Sequence, residues 1–238
     1  MLLAANPFVN AYLQSDWFGK GVFWALFLLS ALSWTVLIFK VWQITRIRQL
    51  SREFSHLFAQ QKSQPLHFQF SSPHKNSWTQ IPHPFFEVYK TAKQNALQMI
   101  SRNHSLTGQE NASLSSPDLD LIASQTAAEA MSQSKGLEKH LFLLSTTATL
   151  GPFLGLLGTV WGILLTFTKL PNGFSSGSSA MLSGISMALA TTVIGLVIAI
   201  PALAGYNYLK NACREYKWEL EHFMHMLLGA VELHHRRD

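Results

Sequence analysis

Along the chain, apolar and polar positions sort into three long apolar runs separated by polar stretches. The first run, Gly21 to Phe39, has no charged side chain between Lys20 and Lys40. The second, Leu141 to Thr168, is uncharged throughout, and the third extends from about Ala180 to Tyr208. A bilayer core of about 30 Å needs roughly 20 apolar helical residues, and each run is long enough. The pattern predicts an all-α membrane protein: three long transmembrane helices with cytoplasmic helical extensions. The expected divisions are a short extracytoplasmic segment 1–17, a first span 18–42, a cytoplasmic region 43–140 and a second span 141–168. An extracytoplasmic turn 169–179, a third span 180–208 and a cytoplasmic helix 209–238 complete it. The first run has no basic leader and is too long for the apolar part of a cleaved signal peptide, so it is read as a retained span.

Between the first two spans the period is helical with interruptions. Leu50, Phe54, Leu57 and Phe58 recur at helical spacing within Arg46 to Ala59. Gln60 to Pro84, rich in Gln, Ser, Pro and His, reads as a loop. Phe85 to Arg102 reads as an amphipathic helix and Asn103 to Pro117 as a second polar loop. Asp118 is placed to cap the next helix. No strong breaker follows before Pro152, so that helix is expected to run unbroken into the second span, about 75 Å at 1.5 Å per residue. Lys169-Leu170-Pro171-Asn172-Gly173 and the Ser/Gly run to Ser179 predict a tight antiparallel hairpin. The third span is expected to continue past Asn207 through Leu220, Phe223, Leu227 and Val231.

Composition sharpens this picture. Only 13% of the 238 residues are charged, against roughly 25% in soluble domains. From Leu141 to Leu209 the only charged side chain is Lys169, which excludes a soluble enzyme. Lys and Arg set orientation. Ten lie in residues 41–140 and five in 209–238, against Lys20 and Lys169 on the other side. The N-terminus is therefore expected outside and the C-terminus inside, and the net charge of +5 is explained without nucleic acid. Cys213 is alone, so neither an intrachain disulfide nor a multi-cysteine zinc site is available. His222 and His225 share a helix face, but no Cys or carboxylate supports a metal site. The histidines read as solvated positions, and no cofactor is expected.

Within the second span Thr147, Gly151, Gly155, Gly158, Thr159, Gly162 and Thr166 recur in steps that keep them on one side of a helix. The third span repeats the theme with Gly184, Ala188, Thr191, Thr192, Gly195, Ala199 and Ala202. Small residues let helix backbones approach where lipid gives no hydrophobic drive, so the glycines are assigned to helix packing. Pro152 and Pro201 are candidate kinks. The threonines have two readings: hydroxyls returned to their own helix, or hydroxyls lining a polar path. No Asp or Glu occurs from Leu141 to Arg214, and none occurs in the first span. Hydroxyls do not ionise near neutral pH, so a proton-driven machine built on these spans needs a carboxylate from another chain.

Gly151-Pro-Phe-Leu-Gly-Leu-Leu-Gly-Thr-Val-Trp-Gly-Ile163 closely resembles the second-span signature of the MotA/TolQ/ExbB proton-channel family. Gly184-Ile-Ser-Met-Ala-Leu-Ala-Thr-Thr-Val-Ile-Gly-Leu196, with Ala199-Ile-Pro-Ala202 and Tyr206-Asn207, resembles its third-span signature, and Ser33-Trp34 with Lys40 the end of its first. The resemblance covers the spans and the helix entering the second, and it favours the TolQ/ExbB branch. It implies a pentamer in the bacterial inner membrane around helices of a TolR/ExbD-like single-span partner, whose aspartate carries the proton. A TolA- or TonB-like protein would pass the force on. By motif, Thr159 and Thr192 are the pore-facing hydroxyls, with Thr191 beside them. One departure is plain: Met187 stands where the branch usually has glutamate. The rival readings are an ExbB-like rather than TolQ-like role, and a scaffold that does not conduct. A small-solute transporter is weaker, because three spans show no internal repeat.

Overall fold

A computed structural model describes residues 7–60, 83–107, 114–168 and 174–235. Among the described residues six helices follow one another: α1 Pro7–Gln14, α2 Trp17–Gln60, α3 Pro84–Thr107, α4 Ser116–Glu138, α5 Leu141–Thr168 and α6 Phe174–His235. No strand occurs among them. Stretches long and apolar enough to cross a membrane fall within Trp17–Phe58, Ser116–Thr168 and Met181–Leu233. The chain is an all-α membrane protein. It divides into two compact units, Met1–Lys40 with His140–Leu209 and Val41–Lys139 with Lys210–Asp238.

The first unit holds α1, the start of α2, α5 and the first part of α6. Of the chain's 18 Lys and Arg and 13 Asp and Glu, only Asp16, Lys20, Lys40 and Lys169 lie in it. Its outer surface is apolar: Phe153, Leu156, Val160, Leu164 and Phe167 of α5, and Leu189, Val197 and Ile200 of α6, are exposed. Such a surface suits lipid and would aggregate in water. Inside, Leu26 of α2 is fully buried. At Gly205 of α6 a Cβ would collide with Leu37 Cδ1 and lie 3.5 Å from Leu144 Cδ2, so the missing side chain is what lets Leu37 seat.

The second unit is packed by rings. Phe54 is fully buried, with Phe223 at 5.7 Å, Tyr89 at 6.0 Å and His83 at 5.3 Å between ring centroids. Phe85 lies 4.7 Å from Phe223. Burial pushes the Tyr89 phenol up to about 12. It raises Tyr216 further, and that hydroxyl shares a 2.7 Å hydrogen bond with Ser51. Arg48 donates to Ala212 O at 3.0 Å and to Glu215 Oε2 at 2.8 Å, which holds Glu215 below the usual carboxylate range.

Several expectations need correction. The helix expected from Asp118 through the second span is broken. α4 ends at Glu138, and α5 begins at Leu141 after His140, whose φ is 73°. No Gly or Pro marks the break. The polar run Glu138-Lys139-His140 lets the end groups of both helices meet solvent, and His enters the left-handed region more readily than most residues. The cap of α4 is Ser115, not Asp118. Asp118 sits one turn in, accepting Ser115 N–H at 3.1 Å and Asn103 Nδ2–H at 2.9 Å. The Asn103 bond is the first cause of its lowered pKa.

The loop expected at Asn103–Pro117 is shorter than that, because α3 runs on to Thr107. Phe174 to Ser179, expected in a turn, is the first part of α6. Ser and Gly cost at most about 1 kcal/mol each in a helix, too little to stop propagation from so long an element. The segments expected as loop at 61–82 and as turn at 169–173 lie outside the described residues. Nor is every histidine merely solvated. His83 stands just before α3 and accepts the Phe86 N–H on Nδ1 at 3.2 Å, and Pro84 follows at the first helical position, where its missing N–H costs nothing.

Candidate functional site

The glycines of α5 and α6 meet in antiparallel register. A Cβ on Gly151 would lie 2.9 Å from Gly195 O and 3.3 Å from Ala199 Cβ, and one on Gly155 would lie 3.0 Å from both Thr191 O and Thr192 Cα. On Gly158 it would collide with Thr191, and on Gly162 it would lie 2.6 Å from Gly184 O. From the other side, a Cβ on Gly195 would lie 2.5 Å from Gly151 O, and one on Gly184 would collide with the Thr166 hydroxyl. All six packing glycines thus face the partner helix, and several leave no room for a methyl group. Pro152 and Pro201 both lie inside unbroken helices. Each removes one backbone donor four residues after a carbonyl, at Ala148 and Val197.

The threonines divide. Thr191 is fully buried, with its hydroxyl donating to Ala188 O at 3.0 Å and Met187 O at 3.1 Å. Thr159 and Thr192 are half-buried. Thr159 donates to Leu156 O at 2.6 Å, and Thr192 stands 3.3 Å from both Ala188 O and Gly155 O. At 3.6 residues per turn, Thr159 lies about 60° to one side of the centre of the α5 stripe, and Thr192 stands at about the same offset from the α6 stripe. In an antiparallel pair, equal offsets of one hand fall on the same side. Thr159 and Thr192 therefore share one flank of the pair.

Trp161 and Met187 lie about 80° to 100° the other way, and both meet the start of α2. Trp161 Nε1 donates to Asp16 Oδ2 at 3.0 Å and its ring lies 4.3 Å from that of Phe18, while the tip of Met187 fills the space beside Gly19. Sequence reasoning does not anticipate this contact, although Asp16 immediately before an apolar run is a helix-start signal.

Chemically, the open flank offers hydroxyls and no charge. Thr159 spends its proton on its own helix and Thr192 on a carbonyl of its own helix or of α5, and each keeps lone pairs for a donor from outside. Such a site can accept from water or from a protonated acid, and it cannot itself hold a proton. Among the described residues no group of three His, Cys, Asp or Glu side chains could hold a metal ion.

Residues 92–222 match the profile of the MotA/TolQ/ExbB proton channel family. The chain is 40% identical over 90 residues to the biopolymer transport protein ExbB of Aquifex aeolicus, covering 37% of this chain and 61% of that one. It is 41% identical over 75 residues to the Tol-Pal system protein TolQ of Haemophilus influenzae, covering 32% and 33%. To the biopolymer transport protein ExbB of Xanthomonas campestris it is 28% identical over 207 residues, 85% of this chain and 77% of that one. The match to the Aquifex protein thus spans about three fifths of that relative's length. The matched residues include the whole of α5 and the glycine and threonine positions of α6, and the chain belongs to the MotA/TolQ/ExbB proton channel family.

Proposed function

We propose that the chain is the ring-forming subunit of a proton-driven motor in the bacterial inner membrane, TolQ-like in role, with its N-terminus outside and its C-terminus in the cytoplasm. Five copies enclose membrane helices of a TolR/ExbD-like one-span partner. Proton flow through the ring moves those helices, and a TolA- or TonB-like protein carries the force onward. The observation that supports this reading is the shared flank of Thr159 and Thr192: two half-buried threonines stand on one side of a helix pair that has no carboxylate. Thr191 stands behind them and holds the pair together. The acid that changes protonation comes from the partner, where apolar walls raise its pKa, and the hydroxyls accept its proton-bearing form as it passes. Each charge crossing 100 mV supplies about 2.3 kcal/mol, enough to bias a conformational step when several protons pass per cycle.

An ExbB-like role is the second reading, favoured by the Xanthomonas ExbB match over most of the chain. The two roles differ in the partner engaged, not in the threonine flank. The test removes one hydroxyl at a time with little change of shape. Thr159→Val and Thr192→Val are expected to abolish motor-dependent activity while the protein still assembles. Full activity in both would leave a non-conducting scaffold. The purified subunit in liposomes, without its partner, is expected to leave an imposed pH gradient intact, and a brisk leak would refute the division of labour.

A further inference from the structure

Asp16 is the only acidic side chain of the first unit, and both its oxygens are engaged. Oδ1 accepts the Gly19 N–H at 3.0 Å and Oδ2 accepts the Trp161 indole N–H at 3.0 Å. The first bond is an ordinary helix cap. The second is not, because it ties the cap to a side chain two residues beyond Thr159, on another helix. The same junction touches α6. The point a Cβ on Gly19 would occupy lies 2.7 Å from Met187 Sδ and 3.0 Å from Asp16 Oδ1. The start of α2 therefore meets both helices of the pair, on the flank opposite the threonines.

That placement answers a mechanical problem. A stripe of small residues lets two helices approach closely but gives few ridges to resist rotation. A hydrogen bond from an indole to a carboxylate is directional, and it is stronger than a neutral one. Low local dielectric strengthens it again. We propose that Asp16 is a positioning residue: acting through Trp161, it fixes the rotation of α5 against α6 and so keeps Thr159 on the flank it shares with Thr192. The inference rests on reading those hydroxyls as the proton-facing groups. Lys20 is the one other charged side chain near the junction in sequence, and α1 and the described parts of α5 and α6 in this unit contribute none.

Two measurements on the full chain, co-expressed with its partner in native membranes, test it. In a Cys213→Ser background, Thr159→Cys supplies this chain's only thiol, and its rate of labelling by a membrane-permeant maleimide, read on this chain, reports the rotation of α5. Adding Asp16→Asn or Trp161→Phe is expected to change that rate several-fold, and combining them to change it no further, because they break one latch. With Thr159 intact, Asp16→Asn is expected to lower motor-dependent activity about tenfold at an unchanged amount of assembled complex. Unchanged labelling, labelling effects that multiply, or a loss of activity matched by loss of assembled protein would each overturn the proposal. Labelling reads rotation and the valine variants read the proton path, so failure of one is not mistaken for failure of the other.

Discussion

The two units solve the same problem, helix against helix, with opposite materials. In the first, α5 and α6 approach until backbone meets backbone, with Gly195 against Gly151 O and Gly162 against Gly184 O. In the second, Phe54, Phe85, Tyr89 and Phe223 hold helices apart and fill the gap with rings. The difference follows from solvent. Where lipid surrounds a helix, burying an apolar ring gains little over leaving it outside, so close approach and dispersion contacts must serve. The second unit carries nearly all the charge, a composition suited to water, where burying a ring removes apolar area at roughly 25 cal/mol per Å². The first unit is therefore intolerant of added atoms, and the second of lost ones.

Removing a ring from the second unit is the most damaging way to break that contrast. Phe223 is 1% exposed and touches Phe54, Phe58 and Phe85. Phe223→Ala is expected to cost about 3–5 kcal/mol, seen as a lower unfolding midpoint in mild detergent and faster hydrogen exchange in α3. Adding one methyl group to the first unit comes next. Gly→Ala in a helix interior ordinarily gains up to about 1 kcal/mol. At Gly195 the new Cβ would lie 2.5 Å from a backbone oxygen, which cannot swing aside as a side chain can. Gly195→Ala is expected to destabilise by about 1–3 kcal/mol, in the same thermal assay. The same change in the second unit should have the opposite sign. Nothing lies within 4 Å of a Cβ on Gly136 or Gly229, so Gly136→Ala and Gly229→Ala are each expected to stabilise by about 0.4–1 kcal/mol. A loss at either, or a gain at Gly195, would erase the distinction.

How much of this is legible in the sequence follows the same division. Three spans stand out because roughly 20 apolar residues in a row suit a bilayer and little else. The glycine and threonine stripes stand out because steps of three and four mark one helix face. The pairing of Thr159 with Thr192 comes from the family motif, and their shared flank is apparent only with the antiparallel packing of α5 and α6. What escapes is set by contacts distant along the chain. The break at His140 has no Gly or Pro to announce it. Asp16 draws no expectation from the sequence, and only the fold brings Trp161 to its second oxygen. His83 lies in a polar run whose composition suggests solvent, yet it is partly buried against Phe54 and Phe86.

His83 also carries the smallest effect, one that reaches the ring-packed unit through charge instead of volume. Its Nδ1 accepts the Phe86 N–H, which is possible only while that nitrogen is unprotonated. Burial is the largest influence and lowers its pKa below 6.5, against the opposing pull of Glu87 and Glu53. The folded protein therefore favours neutral His83 more than the unfolded chain does. The cap's contribution is complete above pH 6.5 and is lost as the pH falls through the lower, folded value. Between pH 7.5 and pH 5.5, amides in the first turn of α3 are expected to lose protection by a few-fold once intrinsic exchange is corrected for, as a cap worth about 1 kcal/mol weakens. His83→Asn keeps a capping oxygen that does not titrate, and its first turn is expected to be insensitive over that range. If both proteins lose protection equally on acidification, the proton acts elsewhere and the cap is not the switch.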